Sequence, residues 1–151
     1  MAYKRPESVL IVVRSATDQV LLLRRAGADG FWQSVTGSLE AGEETAACAA
    51  RELREETGLE APVHDCHLMA RFAIRASALH RYPPGTVYND EHLFECVLPT
   101  PVDITLSDEH TAYEWVSVDA ALARVWSETN RDGIRQTCAA GAGTSAPPAT
   151  D

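Results

Sequence analysis

Between Gly37 and Gly58 the chain has few choices other than turn, helix, turn. Glu43 to Thr57 contains neither glycine nor proline and is rich in Ala, Leu, Glu and Arg, all strong helix formers. Gly37 and Gly42 bound a loop ahead of it. Gly58 is the natural residue for the left-handed position that ends a helix. One face of this predicted helix carries Ala46, Ala49, Ala50 and Leu53, and side chains that small let a helix lie close on a sheet. Glu52, Glu55 and Glu56 stand at i, i+3 and i+4, so three carboxylates share a face. Like charges at that spacing destabilise an isolated helix by a few tenths of a kcal/mol each. Arg51 and Arg54 relieve part of this, and a divalent cation would relieve more. Hard oxygen ligands select Mg²⁺ or Mn²⁺ over zinc, and Mg²⁺ is usually held by a few carboxylates together with substrate phosphates and water.

The rest of the chain reads as strands around that helix. Ser8 to Arg14 and Val20 to Leu23 are apolar runs joined by the polar turn Thr17-Asp18-Gln19, a predicted hairpin. Phe31 to Thr36 returns as a short extended segment. Val63 to Leu68, Arg71 to Ile74, His92 to Leu98 and Ala112 to Val116 are further strand candidates. A long polar loop, Ala76 to Glu91, lies among them, and a loop of that length in a compact domain is usually functional or mobile. Asp119 can cap a short helix through Arg124, and Glu128 to Ala139 reads as a last helix. Residues 139–151 are Ala, Gly, Ser, Thr, Pro and Asp. They offer too little apolar surface to order themselves, and are expected to form a disordered tail. The domain proper is therefore expected over 1–138.

With 151 residues the chain fits one domain. Its net charge of -9 argues against nucleic acid as the partner, since such binding rests on phosphate neutralisation by Lys and Arg. It leaves room for a small phosphorylated ligand, because a bound divalent cation reverses the local field. Cys48, Cys66, Cys96 and Cys138 form no Cys-x-x-Cys pair, which argues against a zinc ribbon or dithiol site and for reduced, mostly buried thiols. The apolar run Val9 to Val13 is far too short to span a membrane or serve as a signal core. These features point to a cytoplasmic protein with no membrane partner. They leave the oligomeric state open.

From Gly37 the order is Gly, five residues, Glu43, seven residues, then Arg51-Glu52-Leu53-Arg54-Glu55-Glu56-Thr57-Gly58. This resembles the complete signature box of the Nudix hydrolases. The resemblance implies an α/β (α+β) Nudix fold, a mixed β-sheet sandwiched between helices. It also implies hydrolysis of a nucleoside diphosphate linked to a further group, with a divalent metal. By the same resemblance Glu52, Glu55 and Glu56 would bind metal. Gly37 and Gly42 would let backbone approach metal and phosphate, and Glu43 with Arg51 would steady the helix.

The flanks are similar to the bacterial dihydroneopterin triphosphate pyrophosphatase branch of that family. The stretches concerned are Tyr3-Lys4-Arg5-Pro6, Phe31 to Ser38, His80-Arg81-Tyr82 with Pro84-Gly85, Glu109-His110 with Ala112-Tyr113 and Trp115, Trp126-Ser127, and Asn130-Arg131. The resemblance implies substrate contacts from Lys4, Arg24, Thr36, Phe72, Ala73, Ile74 and Arg75, with Arg81 a further candidate cation. Phe72 could stack on a flat ring. Glu109 would reach the metal from outside the box, and the catalytic set would be Glu52, Glu55 and Glu109. The base stays open between Glu52 and Glu109. The implied reaction converts a pterin triphosphate to its monophosphate and pyrophosphate. An oxidised-purine triphosphatase, a dinucleoside tetraphosphate hydrolase and a non-catalytic nucleotide-binding module are the rivals.

Overall fold

The computed structural model describes residues 3–145 of the protein. Seven strands form one mixed sheet: β1 (Glu7–Ser15), β2 (Gln19–Arg25), β3 (Trp32–Gln33), β4 (Val35–Ser38), β5 (His64–Ala73), β6 (Tyr88–Leu98) and β7 (His110–Ser117). Three helices accompany it: α1 (Thr45–Thr57), α2 (Val118–Arg124) and α3 (Glu128–Ser145). The spine is the parallel pair β1–β6, in unbroken register from Glu7↔Asp90 to Ser15↔Leu98. Strands run β3-β2-β1-β6-β5, with β4 pairing β1 and β7 pairing β2.

β1 is apolar on both faces because helices cover both. Its odd residues Val9, Ile11 and Val13 pack with Cys48, Ala49 and Leu53 of α1. Its even residues Leu10 and Val12 pack with Ala121, Val125 and Ile134 of the α2–α3 side. Burying a side chain such as Leu53, fully inaccessible here, contributes about 1.5–3 kcal/mol. The fold class is the one expected.

Several boundaries differ from the sequence reading. α1 starts at Thr45, because Glu43 turns its side chain back to accept from the Glu40 N–H at 2.9 Å. The expected strands 63–68 and 71–74 are one strand, β5, irregular between Asp65 and Met69 with His67 at φ 55°. The long loop is shorter than expected: a 3₁₀ helix occupies Ala76–Arg81 and β6 begins at Tyr88. α2 is capped by Ser117, whose hydroxyl accepts from the Ala120 N–H, rather than by Asp119. α3 continues as helical backbone to Ser145, seven residues into the segment read as a disordered tail. Ala139, Ala140 and Ala142 favour that continuation. The remainder of that expectation, residues 146–151, lies outside the described residues. Cys48, Cys96 and Cys138 are buried and Cys66 is partly so, all as free thiols. No helix among the described residues is long and apolar enough to cross a membrane.

Candidate active site

α1 reaches the site because both its ends are fixed. Gly58 takes φ 76° and its N–H caps the Arg54 carbonyl. At the other end Arg51 gathers the preceding loop. Its Nε and one terminal nitrogen grip Glu43 at 2.7 and 2.9 Å, and that nitrogen also donates to the Ser38 carbonyl at 3.2 Å. Its remaining nitrogen donates to Glu52 at 3.1 Å and Glu55 at 3.2 Å. The guanidinium holds Glu43 down to about 2, far below its ordinary value. Arg5 donates to the Glu40 and Glu43 carbonyls, each at 3.0 Å, and closes the loop from the sheet side.

Glu52 and Glu56 are brought together. Glu56 is 3 % exposed, and its Oε1 is buried without a partner. Burial pushes its carboxyl well above the usual range, and the neighbouring Glu52 carboxylate pushes it further. The two carboxyls are close enough to act on each other's protonation, and the nearby Thr36 backbone N–H partly offsets the rise of Glu56. Burial also raises Glu52. Two carboxyls this close cannot both ionise cheaply without a cation.

Gly37 is part of the same cluster. A Cβ there would lie 2.0 Å from Cδ of Glu52 and 2.1 Å from its Oε2. Only glycine leaves room for this carboxylate between β4 and α1. Glu55, by contrast, is half exposed and held by Arg51. Glu109 is exposed, in the turn ahead of β7, where its carbonyl accepts from the Ala26 N–H at 2.8 Å. Its charge bears on both Glu56 and Lys4. Among the described residues no three acidic, His or Cys side chains converge into a ready-made metal cage. What exists is a buried pair with an orphaned oxygen and a third carboxylate nearby. Hard oxygen donors of this kind suit a divalent cation that takes its remaining ligands from water and phosphate.

The candidate cations fall in two places. The Lys4 N–H donates to the Arg81 carbonyl at 2.8 Å, and the Lys4 ammonium lies 5.5 Å from the Tyr82 ring centroid. Burial lowers Lys4 and the Arg81 charge lowers it further, while Glu109 and Glu52 oppose this. Lys4 and Arg81 therefore form a like-charge pair beside the acidic cluster, an arrangement relieved by an anionic ligand. Arg24 is exposed on β2, its guanidinium over the space at Gly30, where a Cβ would come within 2.6 Å of it. Nothing pairs Arg24 with a carboxylate among the described residues.

Of the segment 72–75, Phe72 lies on β5 opposite Asn89, 36 % exposed and outside both apolar clusters. Ala73 is exposed and ends the strand. Ile74 is buried and donates its N–H to the Val87 carbonyl at 2.9 Å. The Arg75 guanidinium stacks 5.3 Å from the Trp126 ring, which in turn stacks on Phe31 at 5.0 Å.

The sequence reading uses Ser34 and Asn130 only within stretches of family resemblance and gives neither a contact. They are both buried and doubly bonded: the Ser34 N–H donates to Asn130 Oδ1 at 2.8 Å and Asn130 Nδ2 to Ser34 Oγ at 2.9 Å. This clamp ties the start of α3 to β4, next to Thr36. It also missed Asn89 and Glu91, which it left in the polar loop. Both are buried on β6. Their alternation with Leu93 was the available signal, since residues i, i+2 and i+4 share one face of a strand.

The chain matches the NUDIX domain model over residues 4–137. It is 40 % identical over 140 residues to the dihydroneopterin triphosphate diphosphatase of Escherichia coli (strain K12), covering 89 % of this chain and 93 % of that protein. Its counterpart in Haemophilus influenzae is 34 % identical over 142 residues, covering 90 % and 89 %. The solved structure of the E. coli dihydroneopterin triphosphate pyrophosphohydrolase superposes with a TM-score of 0.82 at 39 % identity, covering 90 % of this chain and 97 % of that one.

Proposed function

Since the chain belongs to the Nudix family and is a pyrophosphohydrolase of that family, we propose that it acts on 7,8-dihydroneopterin triphosphate. The products are dihydroneopterin monophosphate and pyrophosphate, a step of folate biosynthesis in the cytoplasm. Similarity to the E. coli enzyme along 89 % of the chain is the observation that carries the substrate. The paired carboxyls under Gly37, with Lys4 and Arg81 beside them, support the chemistry.

Nudix hydrolases generally use a divalent metal, and here we assign Mg²⁺, with Mn²⁺ as its substitute. Glu52 and Glu56 would hold it, with Glu109 and, through rotation of its exposed side chain, Glu55 able to join. When bound, such an ion neutralises phosphate charge and lowers the pKa of its water.

The chain's own residues do the rest. Arg51 aims Glu52 and keeps one of its oxygens occupied. The absence of a side chain at Gly37 leaves the space in which the Glu52 carboxylate sits. Lys4 and Arg81 offset the charge of the phosphate chain, and Arg24, an exposed cation on β2, is assigned the same role. Glu52 or Glu109 accepts the proton from the attacking water.

The test is a steady-state panel with product identification. Dihydroneopterin triphosphate should give kcat/KM at least ~10-fold above dATP or dGTP, or ~1.4 kcal/mol of differential transition-state binding. If an oxidised purine triphosphate or a dinucleoside tetraphosphate leads that panel, the substrate assignment fails and the Nudix chemistry stands. Absence of phosphate release from every member would identify a binding module instead.

A further inference from the structure

On the α3 side of the sheet, a cavity of about 220 Å³ opens between β5, β6 and α3, lined in part by Leu10, Leu68, Ala70, Glu91, Leu93 and Thr129. Its lining residue Leu10 sits one strand away from β4, which borders the carboxyl cluster. Leu10 is the register partner of Thr36, which lies next to Gly37 and the Glu52–Glu56 pair, and of Leu93 on the other side. From Thr36 to the β6 wall is two inter-strand spacings, ~10 Å.

Its walls are apolar at Leu10, Leu68, Met69 and Leu93 and polar at Glu91, Thr129, Asp132 and Gln136, of which Glu91 alone is a buried carboxyl. Glu91 is 8 % exposed. Burial raises its carboxyl, and the one group opposing that rise is the nearby Thr129 hydroxyl. It makes no ion pair among the described residues. A buried carboxyl with a single hydroxyl nearby costs stability, and an apolar side chain of similar size would serve packing better. Two residues earlier on the same face, Asn89 is 2 % exposed. Its Nδ2 is committed to Ser8 Oγ at 2.8 Å, while its Oδ1 is buried with no partner. Phe72 is its register partner on β5. Glu91, on the cavity wall, and Asn89 beyond it thus share one face of β6, the Asn89 oxygen unpaired and the Glu91 carboxyl without an ion pair among the described residues.

We propose that Glu91, assisted by Asn89, is the specificity determinant that reads the adjacent N–H and NH₂ donors of a 2-amino-4-oxopyrimidine edge in the substrate ring. This deepens the pterin triphosphate reading above and rests on it. A carboxylate accepts both donors of such an edge side by side. The Asn89 oxygen takes a further donor along the ring, and the apolar walls cover its faces. A ring without the amino group leaves these oxygens buried and unpaired, which is the condition for strong rejection.

The test separates this from the substrate reading. Guanine carries the same edge and hypoxanthine lacks only its amino group, so wild type should favour GTP over ITP by at least ~10-fold in kcat/KM. In Glu91→Gln that ratio should fall toward one, and kcat/KM for dihydroneopterin triphosphate should fall at least ~10-fold, mostly through KM. The melting temperature should stay level or rise, because the substitution removes a buried ionisable group. Glu91→Leu is a second variant, expected to be at least as stable and equally indiscriminate. If wild type does not distinguish GTP from ITP, or if folded Glu91→Gln keeps the wild-type ratio and pterin kinetics, the inference is overturned. If wild type prefers a different ring but Glu91→Gln still abolishes the GTP preference, the substrate reading falls and the role of Glu91 stands.

Discussion

Replacing Arg51 by alanine tests whether this side chain organises the site or touches the substrate. Arg51 forms a fork on Glu43 at 2.7 and 2.9 Å, and further bonds to Ser38, Glu52 and Glu55. The Arg51 and Glu43 side chains are only 17 % and 13 % exposed. Removing one partner of a buried pair costs ~3–5 kcal/mol. Water reaches this pair in part, so ~3 kcal/mol is expected. For a chain of this length that is a fall of ~6–12 °C in melting temperature. The effect depends on pH in a defined direction. Glu43 is depressed from 4.5 to about 2, so the stabilisation is present above about 4.5 and is lost as pH falls through about 2. The gap between wild-type and Arg51→Ala melting temperatures should therefore close across that window. Turnover should fall as well, because Glu52 loses the bond that aims it. Arg51→Lys should recover only part of both, since an ammonium cannot reproduce the fork. Calorimetry from pH 2 to 7, alongside kinetics at neutral pH, makes the measurement. A melting temperature within a degree of wild type would refute the organising role, and lost activity at full stability would mean that Arg51 contacts substrate.

Two other substitutions probe the carboxyl pair. Gly37→Ala places a methyl on the Glu52 carboxylate. It should cost ~10² or more in kcat with little change in melting temperature, and near-normal turnover would show that Glu52 need not sit there. Glu56→Gln should lower kcat by ~10² or more, at least ~2.7 kcal/mol of transition-state stabilisation. In metal-free protein the same substitution should leave stability level or improved. Glu56 is raised from 4.5, so the stability of the wild type is fully present below about 4.5 and is lost as pH rises through the elevated folded value. Glu56→Gln should flatten that alkaline decline, and an unchanged pH profile would show that Glu56 is not the titrating group.

What could be read from sequence was what rests on local spacing. The carboxylates of α1 and its closing Gly58 lie within one short segment whose geometry follows from helical periodicity, whereas the Glu43–Arg51 pairing is implied only by the family resemblance. The strands of β1 and β2 announced themselves by continuous apolar runs. What could not be read depends on partners far along the chain. Ser34 meets Asn130 only because α3 returns to β4. β5 continues past Leu68 because pairing with β6 resumes at Met69 after an irregularity, whereas the sequence alone suggests a break between Leu68 and Arg71. Asn89 and Glu91 were assigned to a loop because polar residues near Pro83-Pro84-Gly85 resemble one. Their burial follows from β1 and α3 closing over that part of β6.

The parallel β1–β6 ladder also sets the order in which the molecule can assemble. Its partners are separated by some eighty residues of chain, with no hairpin to bring them together. Contacts of such long separation are costly to close and slow to nucleate. During synthesis at roughly 5–20 residues per second, β1 exists for ~4–16 s before its partner has been made. Over that interval Val9 to Val13 is an apolar strand open along the edge that β6 will fill, even once β2, β4 and α1 have been made. Slow substitution of β6, or a pause in its translation, would therefore prolong an aggregation-prone nascent chain long before it altered the finished enzyme.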